Sequence, residues 1–207
     1  MSLIFKAPVL KVTEIFYSVQ GEGARIGIPS IFIRLAGCNL NCWFCDTDWS
    51  ESEYMTVDAV VQEVAKYPCR NIVWTGGEPT LQLTNVILKQ FPKYHHSIET
   101  NGTNPVPTLI DYIACSPKGH VTVRMLHDNF PQGVGEFRFL YESDSVEIPS
   151  VEMLPVAEHY FISPLFLGEE KKRFLLDEEK VRQAVDFVKQ HDCWRLSIQI
   201  HKIINVP

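Results

Sequence analysis

Three cysteines that lie close together in the sequence are the residues best suited to hold a metal centre. Cys38, Cys42 and Cys45 are separated by three and by two residues. At this spacing three thiolates on one loop can bind one inorganic cluster. A four-iron cube with three protein ligands keeps one iron open, and an open iron can bind a substrate or cofactor directly.

A structural zinc site is the alternative interpretation of these cysteines. Such sites take four protein ligands, usually as two pairs of Cys or His. The other side chains able to supply a fourth ligand are Cys69, Cys115, Cys193, His95 and His96. None of them lies at a zinc-site spacing. The sequence therefore favours the open cluster and keeps a zinc-stabilised interaction module as the non-enzymatic alternative.

Polar residues at predicted strand ends form the rest of a candidate site. The Thr75-Gly76-Gly77-Glu78-Pro79 loop follows a short apolar run. Its glycines would let the backbone approach a ligand while exposed amides pair with a charged group. Segments 99–102 and 116–118 end the next two strands. Because the carboxyl ends of parallel strands meet at one edge of a sheet, we expect these segments and the cysteines to outline one pocket.

Alternating strand and helix patterns predict the fold that positions these residues. Apolar runs or alternation indicate strands at 31–35, 72–74, 97–99, 112–115, 137–141 and 194–200. Thr56 and Asp177 are predicted N-caps of two helices, and Pro79 suits the first turn of another. Strands separated by helices imply a mostly parallel sheet. About six or seven strands are too few for a closed eight-stranded barrel. We therefore expect an α/β fold, an open partial barrel that forms a single domain over 1–207, with irregular structure at 119–135.

The charge and apolar content of the chain exclude several classes of protein. A net charge of -6 without a basic stripe argues against nucleic-acid binding. No apolar run is long enough to span a bilayer, and the first residues lack the pattern of a secretion signal. Clustered cysteines without such a signal are typical of a reduced compartment, so the sequence predicts a cytoplasmic protein with no membrane partner.

The cysteine spacing, with Phe44 directly before the third cysteine, resembles the signature of the radical S-adenosylmethionine superfamily. The resemblance implies a 4Fe–4S cluster on the three cysteines, whose open iron chelates the amino and carboxylate groups of S-adenosylmethionine. One electron would then cleave the sulfonium and yield a 5′-deoxyadenosyl radical. The cofactor contacts that the resemblance implies are Phe44, Cys45, Asp46, Gly77, Glu99, Ser116, Pro117 and Lys118.

Segments at both ends of the chain narrow the resemblance to one family. The QGEG run at 20–23, Arg34, Asp46-Thr47 and the QIHK run at 199–202 resemble the 7-carboxy-7-deazaguanine synthase family over nearly the whole chain. That family's reaction converts 6-carboxy-5,6,7,8-tetrahydropterin to 7-carboxy-7-deazaguanine with loss of ammonia, on the way to queuosine and other deazapurines. A glycyl-radical activating enzyme is the alternative enzyme, but it needs neither the QGEG run nor the QIHK run.

The family resemblance also implies which residues bind the pterin. They are Val19, Gln20, Gly21, Glu22, Arg34, Thr75 and Pro207, the last through its free carboxylate. Carboxylate and amide oxygens suit the donor edge of a pterin, and an arginine can hold the substrate carboxylate by two parallel hydrogen bonds. The resemblance further implies Mg²⁺ near the Thr47 hydroxyl, a homodimer, and an external one-electron donor such as flavodoxin or ferredoxin.

Overall fold

The computed structural model describes residues 8–45, 47–48, 51–141, 147–165 and 178–207, and within these ranges nine strands form one sheet. The strands are β1 (Val9–Val19), β2 (Pro29–Leu35), β3 (Glu53–Thr56), β4 (Asn71–Gly76), β5 (His95–Thr100), β6 (Tyr112–Cys115), β7 (Val134–Tyr141), β8 (Ala157–Pro164) and β9 (Arg195–Leu196). The α-helices are α1 (Val57–Val64), α2 (Asn85–Leu88), α3 (Val123–Asn129), α4 (Glu178–Gln190) and α5 (Ile200–Ile204).

The sheet is mostly parallel, as predicted. Its strand order is β3-β1-β2-β4-β5-β6-β7-β8-β9. Every neighbouring pair from β2 to β9 is parallel, whereas β1 runs antiparallel to both β2 and β3. The predicted open partial (βα) barrel is confirmed. The loops that follow β2, β4, β5 and β6 consequently meet at one edge, where the cysteines and the polar segments lie.

Two apolar clusters hold the helices against the outside of this sheet. In the first, Val57, Val60 and Val64 of α1 pack against β1, β2 and β4. Thr56 caps α1 as predicted, because its Oγ1 accepts a hydrogen bond of 3.2 Å from the Ala59 N–H. In the second cluster, α3 and α4 pack against the aromatic face of β7 and β8. Both clusters lie away from the edge that carries the cysteines.

The predicted final strand over 194–200 is wrong in most of its length. Only Arg195 and Leu196 form strand β9, and Ile200 begins helix α5. Trp194 is buried because it packs edge-on against Phe139, outside the strand proper. The Ser197 N–H still donates to the Ile162 carbonyl of β8 at 2.9 Å; the chain then leaves the sheet, and the Ile200 N–H donates to the Gly21 carbonyl. The alternating apolar residues at 194–200 are therefore distributed over a short strand, a turn and the start of a helix.

Other parts of the sequence prediction need correction as well. The segment 119–135, expected to be irregular, contains α3, which begins after Thr122 caps the Met125 N–H. Strands β1, β3 and β8 were not predicted. Pro79 does begin a helix, but this is a short 3-10 helix, Pro79–Leu81. Asp177, the predicted cap of α4, lies outside the described residues. None of the described helices has the length and apolar character needed to cross a membrane.

Candidate functional site

The loop that carries the cysteines, residues 38–45, is called the cysteine loop, and residues 36 and 37 separate it from β2. It lines a cavity that we call the cysteine cavity. This cavity has a volume of about 240 Å³, and Cys38, Cys42 and Cys45 all line it. Two N–H groups point at the Cys38 sulfur, from Leu40 at 3.4 Å and from the Asn101 side chain at 3.9 Å. Donors to sulfur are typical around thiolates that bind iron, because they stabilise the negative charge.

All three cysteines are free thiols; Cys38 and Cys42 are partly buried, and Cys45 is exposed. Among the described residues no three His, Cys, Asp or Glu side chains surround a common point closely enough for a single metal ion. A four-iron cube takes each cysteine on a different iron, so its ligands are spread over a larger volume. The shared cavity, the free thiols and the N–H donors to sulfur fit such a group.

The segment Thr75-Gly76-Gly77-Glu78-Pro79 at the end of β4, which we call the glycine loop, hydrogen-bonds to the backbone directly before the cysteine loop. The Gly77 N–H donates to the Leu35 carbonyl at 2.9 Å, and the Glu78 N–H donates to the Gly37 carbonyl at 2.8 Å. A Cβ at Gly77 would lie 2.0 Å from the Gly37 oxygen. The expectation that these amides are exposed for a ligand is therefore wrong. The glycines let two backbones touch, and Gly77 still lines the cysteine cavity.

Glu78 is fully buried and connects the glycine loop to the segment after β5. Its carboxylate accepts hydrogen bonds from the Thr100 hydroxyl at 2.9 Å and from the Asn101 N–H at 2.7 Å. Buried carboxylates need such donors, since an unpaired one would be strongly destabilising. Glu78 thereby fixes Asn101, whose side chain contacts the Cys38 sulfur.

The segment after β6 supplies two polar side chains to the cysteine cavity. The Lys118 ammonium donates to the Ser116 hydroxyl at 2.7 Å and lies 5.8 Å from the centre of the Phe44 ring. Burial lowers the pKa of Lys118, and the nearby Glu22 carboxylate opposes that shift. Pro117 is buried and does not line the cavity, and Asp46 lies outside the described residues.

A second cavity of about 460 Å³ lies between β1, β2 and α5, and we call it the β1 cavity. The predicted pterin-binding residues that line it are Val19, Gln20, Gly21, Glu22, Arg34, Thr75 and Pro207. Phe16 and Phe32 add a stacked aromatic pair, with ring centres 5.0 Å apart and planes within 7°. A flat heteroaromatic ring suits a cavity with such a lining.

Arg34 in the β1 cavity is oriented by a neighbouring carboxylate. Its Nε donates to Glu14 at 2.6 Å across the β1–β2 pair. In the described part of the chain its two terminal nitrogens make no hydrogen bond, so they form an open fork. A fork of this kind matches the geometry of a carboxylate.

The two cavities have a common boundary, which we call the shared wall. The residues that line both are Glu22, Thr47, Thr75, Glu99, Gln199 and Lys202. A molecule in the β1 cavity therefore lies next to a molecule in the cysteine cavity. Side chains on the shared wall are placed to contact both.

Arg138 is the main site residue that the sequence did not single out. It lies in β7, is 4 % exposed, and its guanidinium pairs with Glu22 at 2.6 Å, Glu99 at 2.9 Å and Glu136 at 2.8 Å. Burial alone would lower the pKa of Arg138, but the three carboxylates outweigh it and raise the pKa. Glu136 and Arg138 occupy same-face positions of an otherwise apolar strand, a signal that charged side chains point into the barrel.

The segment 197–207 joins the QGEG loop to the shared wall. The Gly23 N–H donates to the Ser197 hydroxyl at 2.9 Å, and the Gln199 amide donates to Glu22 at 2.5 Å. The Ser18 hydroxyl donates to the Pro207 oxygen at 2.8 Å. The two segments that looked most distinctive in the sequence are therefore in direct contact.

Comparison with known proteins connects this site to one group of enzymes. Residues 32–124, which include the cysteine loop and the glycine loop, match the family model of the radical SAM superfamily. The chain is 39% identical to 7-carboxy-7-deazaguanine synthase of Bacteroides thetaiotaomicron, covering 95% of this chain and 98% of that protein. It is 34% identical to the synthase of Haemophilus influenzae, covering 96% and 95% of the two chains.

A solved structure shares the fold. The crystal structure of QueE from Escherichia coli superposes with a TM-score of 0.65, covering 92% of this chain and 94% of that one. The sequence identity is 21%, so this comparison supports the architecture of the sheet alone.

Proposed function

This chain belongs to the 7-carboxy-7-deazaguanine synthase family of the radical S-adenosylmethionine superfamily, and on that premise we propose how its two cavities divide the work. The reaction is the ring contraction of 6-carboxy-5,6,7,8-tetrahydropterin to 7-carboxy-7-deazaguanine with release of ammonia. The cysteine cavity takes the cluster and S-adenosylmethionine, and the β1 cavity takes the pterin.

The observation that supports this division is the shared wall. A hydrogen atom can pass between two bound molecules only when they are in contact, and reacting atoms need to lie about 3–3.5 Å apart. Glu22, Thr75 and Glu99 line both cavities. A cofactor and a substrate seated in the two cavities would meet there.

Three side chains would hold the cluster, namely Cys38, Cys42 and Cys45. The cluster and S-adenosylmethionine, when bound, supply a 5′-deoxyadenosyl radical. Phe44, Ser116 and Lys118 line the cavity beside the cysteines and would bind the cofactor by stacking and hydrogen bonds.

In the β1 cavity each side chain has a matching group on the pterin. The open fork of Arg34 would bind the substrate carboxylate, while the Glu22 carboxylate would accept and the Gln20 amide would accept or donate at the pyrimidine edge. The Gln20 amide is already oriented, because its oxygen accepts from the Glu22 N–H at 3.1 Å and its nitrogen donates to Glu99 at 2.9 Å. A fixed amide discriminates between donor and acceptor edges.

We extend the proposal to the remaining partners of the reaction. Thr47 lines both cavities, which supports a role for its hydroxyl in binding a Mg²⁺ ion together with the substrate carboxylate. An outside protein such as flavodoxin or ferredoxin would deliver the electron. A homodimer and a cytoplasmic location complete the proposal, the latter because free thiols need a reducing compartment.

The deciding experiment is an anaerobic turnover assay. Reconstituted protein is incubated with 6-carboxy-5,6,7,8-tetrahydropterin, S-adenosylmethionine, Mg²⁺ and dithionite, and the products are identified by mass spectrometry. We expect 7-carboxy-7-deazaguanine from the wild type and none from Cys42→Ala. Cys193→Ala, an exposed cysteine that lines neither cavity, is the matched control and should retain activity.

The same preparation separates the alternative functions. We expect brown protein with about four irons per chain. One zinc per chain and no colour would instead support an interaction module. Cleavage of S-adenosylmethionine without any deazaguanine product would refute the pterin as the substrate.

A further inference from the structure

One guanidinium holds three carboxylates at the centre of the site. Each nitrogen of Arg138 contacts a different acid: Nη1 lies 2.6 Å from Glu22, Nη2 lies 2.9 Å from Glu99, and Nε lies 2.8 Å from Glu136. The three acids come from the loop after β1, from β5 and from β7. Arg138 therefore connects three separate segments of the chain through one rigid planar group.

Glu136 anchors Arg138 from the side away from the cavities. It is 2 % exposed, and its Oε2 accepts from the Ala24 N–H at 2.8 Å and from the Tyr112 hydroxyl at 2.9 Å. A Cβ at Gly23 would lie 2.1 Å from Glu136 Oε1, so the loop backbone lies directly on this carboxylate. Neither cavity is lined by Glu136.

The other two acids face the cavities, and each has a second support. Glu22 accepts from the Gln199 amide at 2.5 Å on the oxygen that Arg138 does not use. Glu99 accepts from both Arg138 and Gln20 on the same oxygen, Oε1. Its other oxygen, Oε2, has no hydrogen bond from the part of the chain that the structure describes.

We propose that Arg138 is a positioning residue, which holds the carboxylates of Glu22 and Glu99 on the shared wall so that the substrate lies in line with the cofactor. This inference rests on the proposed function. Arg138 itself lines only the cysteine cavity, and it acts on the β1 cavity through its two acids. The free Oε2 of Glu99 is the atom that this arrangement presents to a donor on a ligand.

The charge count argues for positioning over simple neutralisation. One carboxylate would neutralise a buried guanidinium, whereas Arg138 gathers three. A surplus of buried negative charge is destabilising, and the two acids that keep some exposure, Glu22 and Glu99, are the two that line the cavities. Lysine offers the same charge without the planar fork, so it cannot hold three acids at these places simultaneously.

The test uses Arg138→Lys in the full-length, cluster-loaded protein. We measure iron content, thermal unfolding, cleavage of S-adenosylmethionine by dithionite without pterin, and turnover with pterin. We expect iron content within about threefold of wild type, and kcat/KM for the pterin reduced by about 10²-fold, the loss typical of small misplacements and a much larger loss than that of pterin-free cleavage. More 5′-deoxyadenosine should form per product, because the radical is no longer aimed at the substrate. Arg124→Lys, on the exposed face of α3, is the matched control.

Non-additivity identifies the residues through which Arg138 acts. Glu99→Gln alone should also reduce turnover, and the double variant with Arg138→Lys should be no worse than the more severe single variant by more than about threefold. If the fold-losses in turnover of the two single variants multiply in the double variant, the inference is overturned. Unchanged turnover in Arg138→Lys, or an equal loss of pterin-free cleavage and of turnover, would overturn it as well.

A second variant keeps the test decisive if Arg138→Lys does not fold. Glu136→Gln keeps the acceptor for the Ala24 N–H but loosens the support of Arg138, so it should show the same selective loss with pterin. If neither variant yields folded, iron-loaded protein, Arg138 is structural and the inference is overturned. Wild-type protein that makes no deazaguanine would refute the proposed function itself, an outcome distinct from any of these.

Discussion

Gly77 and Glu78 act in this site by positioning the backbone of neighbouring segments. Gly77 contributes no side chain, yet it brings the backbone of β4 into contact with the loop that carries the cysteines. Glu78 beside it has no exposed surface and holds the segment after β5. The chemistry-bearing cysteines thus depend on two residues that touch no ligand through their side chains.

Replacing Gly77 by alanine should disrupt cluster binding. The added methyl would lie 2.0 Å from the Gly37 oxygen, and relieving that overlap should cost about 1–3 kcal/mol and displace the cysteine loop. Iron content per chain after reconstitution is the measurement, and we expect a clear decrease. Gly119→Ala is the control, because a Cβ there has no atom within 4 Å. Equal iron content in the two variants would contradict the prediction.

His96 should make the stability of the first apolar cluster depend on pH. It is 6 % exposed, accepts from the Trp74 indole at 3.1 Å, and lies 3.3 Å from the Phe91 carbonyl through its other nitrogen. Burial lowers the pKa of His96, with the Phe91 carbonyl and Asp111 opposing the shift. As the pH falls through 6.5, the ordinary pKa of histidine, His96 takes up a proton in the unfolded chain before it does so in the folded one. The free energy of unfolding should therefore decrease as the pH falls through that value.

Urea unfolding at about pH 7.5 and pH 5.5 tests this linkage. His96→Gln should be less stable than wild type at the higher pH, because it loses the fit to Trp74, but its stability should change less between the two conditions. An equally steep dependence in the variant would show that other groups are responsible.

At the scale of elements, the parallel strands place the cysteine and glycine loops, and the last segment closes the β1 cavity. The QGEG loop is held partly by Arg138 and Glu136 of β7, and partly by Ser197 and α5, which follow the last strand. Loops fixed by a distant segment are easier to loosen without unfolding the protein than loops fixed by the sheet.

Ser197→Ala should therefore impair substrate binding more than overall stability. The variant leaves the Gly23 N–H without its acceptor in a buried position, at a cost of about 1–3 kcal/mol. We expect a higher KM for the pterin with pterin-free cleavage of S-adenosylmethionine retained. Ser30→Ala, which removes a buried hydroxyl that lines neither cavity, should lose stability and keep its KM. A KM that is unchanged in Ser197→Ala would refute this role.

The sequence predicted the elements whose pattern is local. The strands at 31–35 and 72–74, the Thr56 cap and the loops between them follow from short runs of adjacent residues, and the structure has them. Helix α3 was missed because it buries only Leu126 and so shows no apolar periodicity. Arg138 was missed as a site residue because its partners, Glu22 and Glu99, are distant in sequence.

For the whole molecule, the metal site is separate from what holds the fold together. The two apolar clusters lie against the faces of the sheet, and the three cysteines lie in a loop that belongs to neither. Small zinc modules differ, since their metal supplies the folding free energy itself.

Removing the cluster should leave the protein folded. We expect chelator-treated protein to lose its colour and activity but to keep its far-UV circular dichroism and a cooperative urea transition. The midpoint should shift only by the stabilisation that a bound ligand adds. Loss of the cooperative transition on removal of iron would show that the cluster is structural.

The hydrogen bond from Ser18 to Pro207 joins positions that are 189 residues apart. During synthesis on the ribosome, the cysteine loop emerges and can meet an iron donor long before the segment that closes the β1 cavity is translated. A message cut short before codon 197 would therefore yield a chain with all three cysteines but without the segment that holds the QGEG loop. Such a chain would also lack Gln199 and Lys202, which line both cavities, so both cavities are complete only after the last segment has been translated.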